Sequence, residues 1–214
     1  YYLDTPTDWK QADKWLTDSS ECEWHGIDCD ASNRVIAIEL PEHAISGSLP
    51  IELGMLSELQ EIDLTTNFIH VEDGLHSVWK HLPNLKILKM EDNFIVTETG
   101  LPEEFAYLTN IETIQLSYNL LQGILSGSVI SKLQKLQHFE IESNYLSGPI
   151  PSELGALPDL IYVYIRRNSV DVQLHTMLAT GLYPSLFSLW LDDNNVFGSI
   201  PDSIGQIQDL ASFS

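Results

Sequence analysis

The sequence is poor in cysteine and in basic residues. Its 214 residues include two cysteines, Cys22 and Cys29, and 10 Lys and Arg against 31 Asp and Glu, for a formal net charge of −21. Because phosphate groups attract cationic side chains, this balance argues against a nucleic-acid ligand and against direct binding to an anionic membrane surface. No run of about 18 apolar residues occurs, so no stretch is predicted to span a bilayer.

Motifs of common catalytic and metal sites are also missing. The sequence holds no G-x-S-x-G, no H-E-x-x-H and no phosphate-binding glycine-rich loop. A loose group of His70, His76 and His81 with Glu72 and Asp73 is better interpreted as a surface loop and helix, because helical spacing places His76 and His81 on different faces. We therefore predict no enzyme, no cofactor and no bound metal.

What the sequence does contain is an internal repeat. Apolar residues at positions 1, 4, 6 and 11, with Asn at position 9, recur every 24–26 residues, and His43 replaces the Asn of the first copy. Seven copies and part of an eighth begin at Val35, Leu59, Leu85, Ile111, Leu136, Leu160, Leu186 and Leu210. This is the pattern of a leucine-rich repeat, which predicts an α/β solenoid. Its apolar positions stack into one core, parallel strands line the concave face of a superhelix, and each Asn bonds backbone groups of adjacent coils.

The second half of each copy narrows the family. Three copies continue as SGSLPIELGML, SGPIPSELGAL and FGSIPDSIGQI, and this resembles the plant-type leucine-rich repeat of receptor ectodomains. Copies 2 and 6 depart from it, as is familiar in algal members. There, apolar residues recur at helical spacing, which predicts short helices on an irregular convex side in place of a second strand. These residues are Leu75, Val78, Trp79 and Leu82 in copy 2, and Leu174, Met177 and Leu178 in copy 6.

The same resemblance covers the two cysteines. Proteins of this type carry a C-x-W-x-G-V/I-x-C cap before the first strand, matched here by Cys22, Trp24, Gly26, Ile27 and Cys29. The resemblance implies a Cys22–Cys29 disulfide, although the family's further cysteines are absent. A zinc site would need more ligands than this segment offers, and a redox pair normally has the spacing C-x-x-C.

We expect residues 1–34 to form an N-terminal helical cap and residues 35–214 to form the solenoid. Thr7 or Asp8 is a plausible N-cap of an amphipathic helix. Its buried face would carry Trp9, Ala12, Trp15 and Leu16. A disulfide with a capping role persists in an oxidising compartment, so the protein is expected to be secreted or to lie on the extracellular face of the plasma membrane.

The concave face is the candidate binding surface. In the predicted register, positions 3, 5, 7 and 8 of each copy face the concave side, acidic and polar toward the N-terminus and aromatic toward the C-terminus. Exposed Tyr, Trp and Arg dominate binding hot spots. The candidate ligand-binding residues are Tyr118, His138, Tyr162, Tyr164, Arg166, Arg167 and Trp190. The alternative is a cross-strand ladder in which the two arginines only neutralise their acidic neighbours Glu142, Asp192 and Asp193.

The resemblance implies a binding module of a cell-surface receptor or adhesion protein, with a peptide, protein or glycan ligand. A secreted inhibitor of a foreign wall-degrading enzyme and a structural wall or matrix protein are the alternatives. The eighth copy has no C-terminal cap in this sequence. We therefore expect end-to-end packing, and so a possible homodimer, at this end.

Overall fold

The computed structural model describes residues 9–10, 12–70, 78–179 and 181–214, and its strands follow the repeat. In chain order the strands are β1 (Ile27–Cys29), β2 (Val35–Glu39), β3 (Ser46–Gly47), β4 (Glu61–Asp63), β5 (Phe68–Ile69), β6 (Ile87–Lys89), β7 (Val96–Thr97), β8 (Thr113–Gln115), β9 (Leu120–Gly123), β10 (His138–Glu140), β11 (Tyr145–Pro149), β12 (Tyr162–Tyr164), β13 (Ser169–Gln173), β14 (Ser188–Trp190), β15 (Asn195–Phe197) and β16 (Ser212–Phe213).

The main sheet takes one strand from each copy and one more, β1, from the cap. Its order is β1-β2-β4-β6-β8-β10-β12-β14-β16. Strand β1 is antiparallel to β2, and the other neighbours are parallel. A second parallel sheet, β15-β13-β11-β9-β7, and the pair β3–β5 come from the segments after each Asn. The predicted solenoid with a parallel concave sheet is confirmed.

The core lies between these layers and is built from the predicted apolar positions. In the second copy Leu59, Ile62, Leu64 and Ile69 occupy positions 1, 4, 6 and 11, and all four are buried. The same positions of the next five copies are buried with few departures, so one hydrophobic cluster runs through the stack. Each coil thus stabilises its neighbours by removing apolar surface from water.

The convex side carries short helices. The α-helices are α1 (Gly127–Ile130), α2 (Ser152–Gly155) and α3 (Leu174–Met177). The 3₁₀ helices span Glu21–Glu23, Ile51–Met55, Trp79–His81, Glu103–Tyr107 and Asp202–Gln206. The helical turns predicted in copies 2 and 6 are present, with Val78, Trp79 and Leu82 buried, while Leu75 lies outside the described residues. The prediction that they replace a second strand is wrong, because β5 follows the concave strand of copy 2 and β13 of copy 6 runs directly into α3.

The cap differs from the predicted amphipathic helix. Turns and bends, and no helix, occupy the described residues 9–10 and 12–20, and Lys14 and Leu16 have φ angles of 68° and 54°. Left-handed backbone of this kind ends a right-handed helix. Leu16 is consequently 72% exposed and lies outside the core it was expected to cover. Thr7 and Asp8 lie outside the described residues.

Contacts between aromatic rings and a disulfide hold the cap together instead. The ring of Trp15 lies 4.8 Å from that of Trp9 and 4.7 Å from that of Trp24. The Trp15 indole Nε1–H also donates to the carbonyl oxygen of His25 at 2.9 Å. Cys22 and Cys29 form the predicted disulfide, so neither is a free thiol. The bridge ties the 3₁₀ turn before β1 to the end of that strand.

Candidate ligand-binding site

Strand register sets the candidate site on the concave sheet. Equivalent positions of neighbouring copies lie directly opposite each other, so His138 is paired with Tyr162 at position 3. At position 5, Glu140 is paired with Tyr164 and Tyr164 with Trp190. Side chains two residues apart on a strand share a face. These five side chains therefore form two adjacent rows on one surface.

Four rings in these rows touch, and together they form the aromatic patch: His138, Tyr162, Tyr164 and Trp190. The ring centroids are 4.6 Å apart for His138 and Tyr162 and 6.2 Å apart for Tyr162 and Tyr164. Tyr164 stacks on Trp190 at 4.4 Å with an interplanar angle of 25°. Contacts between rings limit their rotation, so the patch is preorganised for a ligand.

Arg166 lies at the edge of the aromatic patch, where it contacts Glu142 and the ring of Trp190. Its Nε and Nη2 donate to the two carboxylate oxygens of Glu142, at 2.5 and 3.3 Å. Its guanidinium lies 4.7 Å from the ring centroid of Trp190. The hydrogen bond with Glu142, which is buried, holds the pKa of Arg166 above its usual value. The ladder interpretation therefore fits Arg166, whose charge is neutralised within the sheet.

Two of the candidate residues lie apart from the patch. Tyr118 and Arg167 both occupy position 8, where φ is 55° in each, so the chain turns away from the strand direction. Arg167 Nε is 3.6 Å from a carboxylate oxygen of Asp193, and both side chains are largely exposed. Tyr118 is 46% exposed, and among the described residues it has no ring contact with the patch. These two side chains border the concave face.

Two further residues contact the patch and were missed from the sequence. The ring of Phe187 lies 5.8 Å from that of Tyr162. Ser212 Oγ accepts a 3.0 Å hydrogen bond from the Trp190 indole Nε1–H. Phe187 occupies position 2, which the periodicity places outside the concave rows. The aromatic ring at this position could have indicated it, since four other copies have the polar residues Gln60, Lys86, Glu112 and Gln137 there.

The N-terminal half of the concave face is acidic. Lys89 Nζ lies 3.1 Å from Glu61 and 3.6 Å from Asp63. Burial lowers the pKa of Lys89, but the two carboxylates outweigh burial and leave that pKa above its usual value. Burial also raises the pKa of Glu39, and the charge of Glu61 adds to the increase. Burial raises the pKa of Glu91 in the same way, with a further contribution from other carboxylates. Carboxylates on this face therefore exceed the cations that neutralise them.

Metal-ligating side chains and long apolar helices are the other features that could carry a function in residues 9–10, 12–70, 78–179 and 181–214. Within those ranges no group of three or more His, Cys, Asp and Glu side chains is placed to hold a metal ion. Of the loose His/acid cluster, His76, Glu72 and Asp73 lie outside the described residues. In the part of the chain that the structure describes, no helix combines the length and apolar character needed to cross a membrane.

The repeats and the whole fold match known proteins. The family model described as Leucine Rich Repeat matches residues 135–157 and 185–207. The ectodomain of the Arabidopsis receptor kinase HAESA, solved in complex with an IDA peptide hormone, superposes with a TM-score of 0.80 and 26% identity. That superposition covers 90% of this chain and 32% of HAESA's.

The chain carries leucine-rich repeats and is similar in sequence and in fold to the ectodomains of plant receptors.

Two further similar proteins show how the length of this chain compares with the lengths of plant receptors and their ectodomains. Phytosulfokine receptor 1 of Arabidopsis thaliana is 37% identical over 83 residues, which are 36% of this chain and 8% of the receptor. The BIR2 ectodomain of Arabidopsis thaliana superposes with a TM-score of 0.68 and 25% identity, covering 92% of this chain and 88% of that one. The leucine-rich repeat chain thus spans a small part of the full-length curated receptor and nearly all of a short ectodomain.

Proposed function

We propose that this chain is an extracellular ligand-binding module that binds a peptide on its concave face, across the aromatic patch. The observation that carries the proposal is the contact between Tyr162, Tyr164 and Trp190 on neighbouring strands. Each of the three rings is partly exposed. Aromatic rings that are fixed and still accessible give large contact area at low entropic cost, as binding hot spots require.

The relatives favour a peptide over the other ligands considered. HAESA was solved with a peptide hormone, and phytosulfokine receptor 1 is named for its ligand. An extended peptide also fits a concave sheet, because its alternate side chains can enter the rows between successive strands. The receptor or adhesion role predicted from the sequence is consistent with this ligand.

The cap supports an extracellular or secreted location. A Cys22–Cys29 disulfide that holds an end of the solenoid is maintained where the medium is oxidising. The acidic surface is compatible with such a medium, since dissolved salt screens repulsion among exposed charges.

The proposed function can be tested without knowing the natural ligand, by selecting peptides that bind the protein. Random peptides displayed on phage would be selected on the folded protein, and the affinities of the recovered peptides measured by calorimetry. We expect Tyr164→Ala or Trp190→Ala to weaken binding by at least about 30-fold, the change that corresponds to about 2 kcal/mol at a hot spot. The melting temperature should fall by no more than about 6 °C, because each substitution removes ring contacts worth about 0.5–1.5 kcal/mol, so both variants stay folded when binding is measured.

Tyr145→Ala is the matched control. Tyr145 is an aromatic residue that is 62% exposed and lies at position 10, outside the concave rows. Its replacement should leave peptide affinity unchanged. Recovered peptides that bind Trp190→Ala as tightly as the original protein would contradict the proposed site. A selection that recovers no binding peptide would contradict the ligand class.

A further inference from the structure

We propose that Glu140 makes the site selective for a cationic side chain of the ligand, a guanidinium or ammonium group bound beside Tyr164. This inference rests on the proposed function and adds the chemical class of one ligand group. It follows from a comparison of two neighbouring arrangements on the same sheet, one of which contains a cation and one of which does not.

The arrangement with the cation is formed at position 7. The carboxylate of Glu142 accepts both hydrogen bonds from the guanidinium of Arg166, and that guanidinium lies over the ring of Trp190. A carboxylate, a guanidinium and an aromatic face therefore combine at this point. Each interaction is of a kind that stabilises a cation when it is partly removed from water.

The arrangement without a cation lies one row away. Glu140, on β10, faces Gln115 on β8 and Tyr164 on β12, and Tyr164 stacks on Trp190. A carboxylate and an aromatic ring are thus again side by side on adjacent strands. The Gln115 side chain is placed to donate a hydrogen bond to Glu140 and so favours the charged carboxylate, but it brings no charge of its own.

The basic side chains nearest on the concave face are already engaged. Arg166 is bound by Glu142, and Lys89 is bound by Glu61 and Asp63. Within the described ranges, none of the ion pairs found includes Glu140. His138, on the same strand, lies close enough to favour the charged carboxylate, while Glu142 opposes it.

The electrostatic state of Glu140 agrees with this geometry. Burial raises the pKa of Glu140, and the contributions of Gln115 and His138 are too small to reverse the increase. A half-buried carboxylate that lacks a full counter-charge gains more from an arriving cation than an exposed one does. The face of Tyr164 would supply a cation–π contact to the same group. An anionic ligand group would instead meet Glu140, Glu142 and Asp192.

Peptide selection on variants tests the proposal. The same random library would be selected on the original protein, on Glu140→Gln and on Glu98→Gln. Glu98 is exposed and lies outside the concave rows, so it controls for the loss of one negative charge. We expect Arg and Lys to be enriched in peptides from the original protein and from Glu98→Gln, and the enrichment to disappear with Glu140→Gln.

One further substitution separates this proposal from the proposed function. In the tightest Arg-containing peptide, citrulline would replace each Arg in turn, which removes the charge and keeps the shape. At one of these Arg positions, we expect the citrulline substitution to weaken binding to the original protein about tenfold and to change binding to the Glu140→Gln variant little.

An equal loss on both proteins, or selected peptides with no excess of Arg and Lys, would overturn the role of Glu140. If those same peptides still required Trp190, the proposed function would stand without this inference. A failure to select any peptide whose binding depends on Trp190 would overturn both.

Discussion

At the scale of single residues, one amide side chain per repeat satisfies the backbone of two coils. Asn119 Oδ1 accepts from the backbone N–H of Ile95, and its Nδ2 donates to the carbonyls of Met90, Leu116 and Ser117. These groups are buried, and an unpaired buried backbone group is costly. The recurring Asn is therefore structural, and this was predictable from its spacing alone.

The first copy, which lacks the Asn, shows under what condition another residue can take its place. His43 takes its place and is buried, with Nδ1 2.6 Å from the carbonyl oxygen of Pro41. In the next copy, Asn67 Nδ2 reaches back to the carbonyl of Leu40 in the preceding coil. The first copy follows a cap instead of a coil and so presents fewer such groups. We infer that this is why a residue other than Asn is tolerated there.

The candidate site was predictable in part. The register placed His138, Tyr162, Tyr164 and Trp190 together because strand pairing repeats the same position from coil to coil. The left-handed turn at position 8 was not visible in the periodicity, since residues as different as Thr66 and Asp193 adopt it. Whether a charged side chain binds a neighbour or stays free also depends on rotamers, which a sequence pattern does not contain.

A prediction at this scale concerns Glu91 and pH. Burial, with the charges of Glu140 and Glu142, raises the pKa of Glu91 above its ordinary value of 4.5. The folded state therefore binds a proton more readily than the unfolded state, and the free energy of unfolding falls as pH rises through the interval above 4.5. We expect Glu91→Gln to raise the melting temperature at neutral pH and to have little effect well below that interval.

Calorimetric melting across this pH range would measure the effect of Glu91→Gln. Glu98→Gln is the control, because Glu98 is exposed and lies outside the concave rows. Its melting curve should keep the pH dependence of the original protein. A melting temperature for Glu91→Gln that stays below that of the original protein at neutral pH would contradict the assigned cost of this carboxylate.

At the scale of secondary-structure elements, the strands of the solenoid agree with the prediction from the sequence, whereas the helix predicted for the cap is absent from its described residues. Trp9, Ala12, Trp15 and Leu16 have helical spacing, yet the described part of the cap consists of turns up to the 3₁₀ segment at Glu21–Glu23. An edge-to-face contact between Trp9 and Trp15 places both rings against the core without a helix. Apolar spacing alone does not distinguish these outcomes, because a short segment can bury the same side chains through turns.

Gly26 allows the cap to dock on the first coil. It has a φ of 75°, and a Cβ atom there would collide with the carbonyl oxygen of Glu39 and the side chain of Leu40. We expect Gly26→Ala to destabilise the protein by at least about 1–2 kcal/mol, the cost of left-handed backbone for a residue with a Cβ. Urea unfolding would measure this loss as a lower midpoint concentration.

Gly205→Ala is the matched control for the change at Gly26. Gly205 lies in the Asp202–Gln206 helix, and a Cβ there would meet no atom within 4 Å. This substitution should be neutral, or stabilising by less than about 1 kcal/mol, because Ala leaves the unfolded chain with less conformational entropy than Gly does. Equal midpoints for the two variants would show that docking of the cap does not depend on Gly26.

At the scale of the whole molecule, repetition made the fold predictable and charge governs association. Each coil contacts its neighbours in the same way, so one correct register fixed the whole stack. The net charge of −21 is a property of the entire surface and opposes contact between two copies. Repulsion of this kind weakens as the Debye length falls, from about 30 Å at 0.01 M salt to about 8 Å at 0.15 M.

The homodimer expected from the sequence stays a prediction, and salt provides its test. Val196, Phe197 and Ile200 are exposed apolar residues of the last described coils. Exposed apolar surface favours association, while like charge opposes it. We therefore expect sedimentation equilibrium at high micromolar concentration to show a monomer at low salt and a growing dimer fraction as salt increases.

Phe197→Ser should remove the dimer, whereas Phe68→Ser, at an equally exposed ring far from this end, should retain it. A monomer at every salt concentration would contradict the prediction, and a dimer that survives Phe197→Ser and is lost with Phe68→Ser would place the interface on the flank of the solenoid.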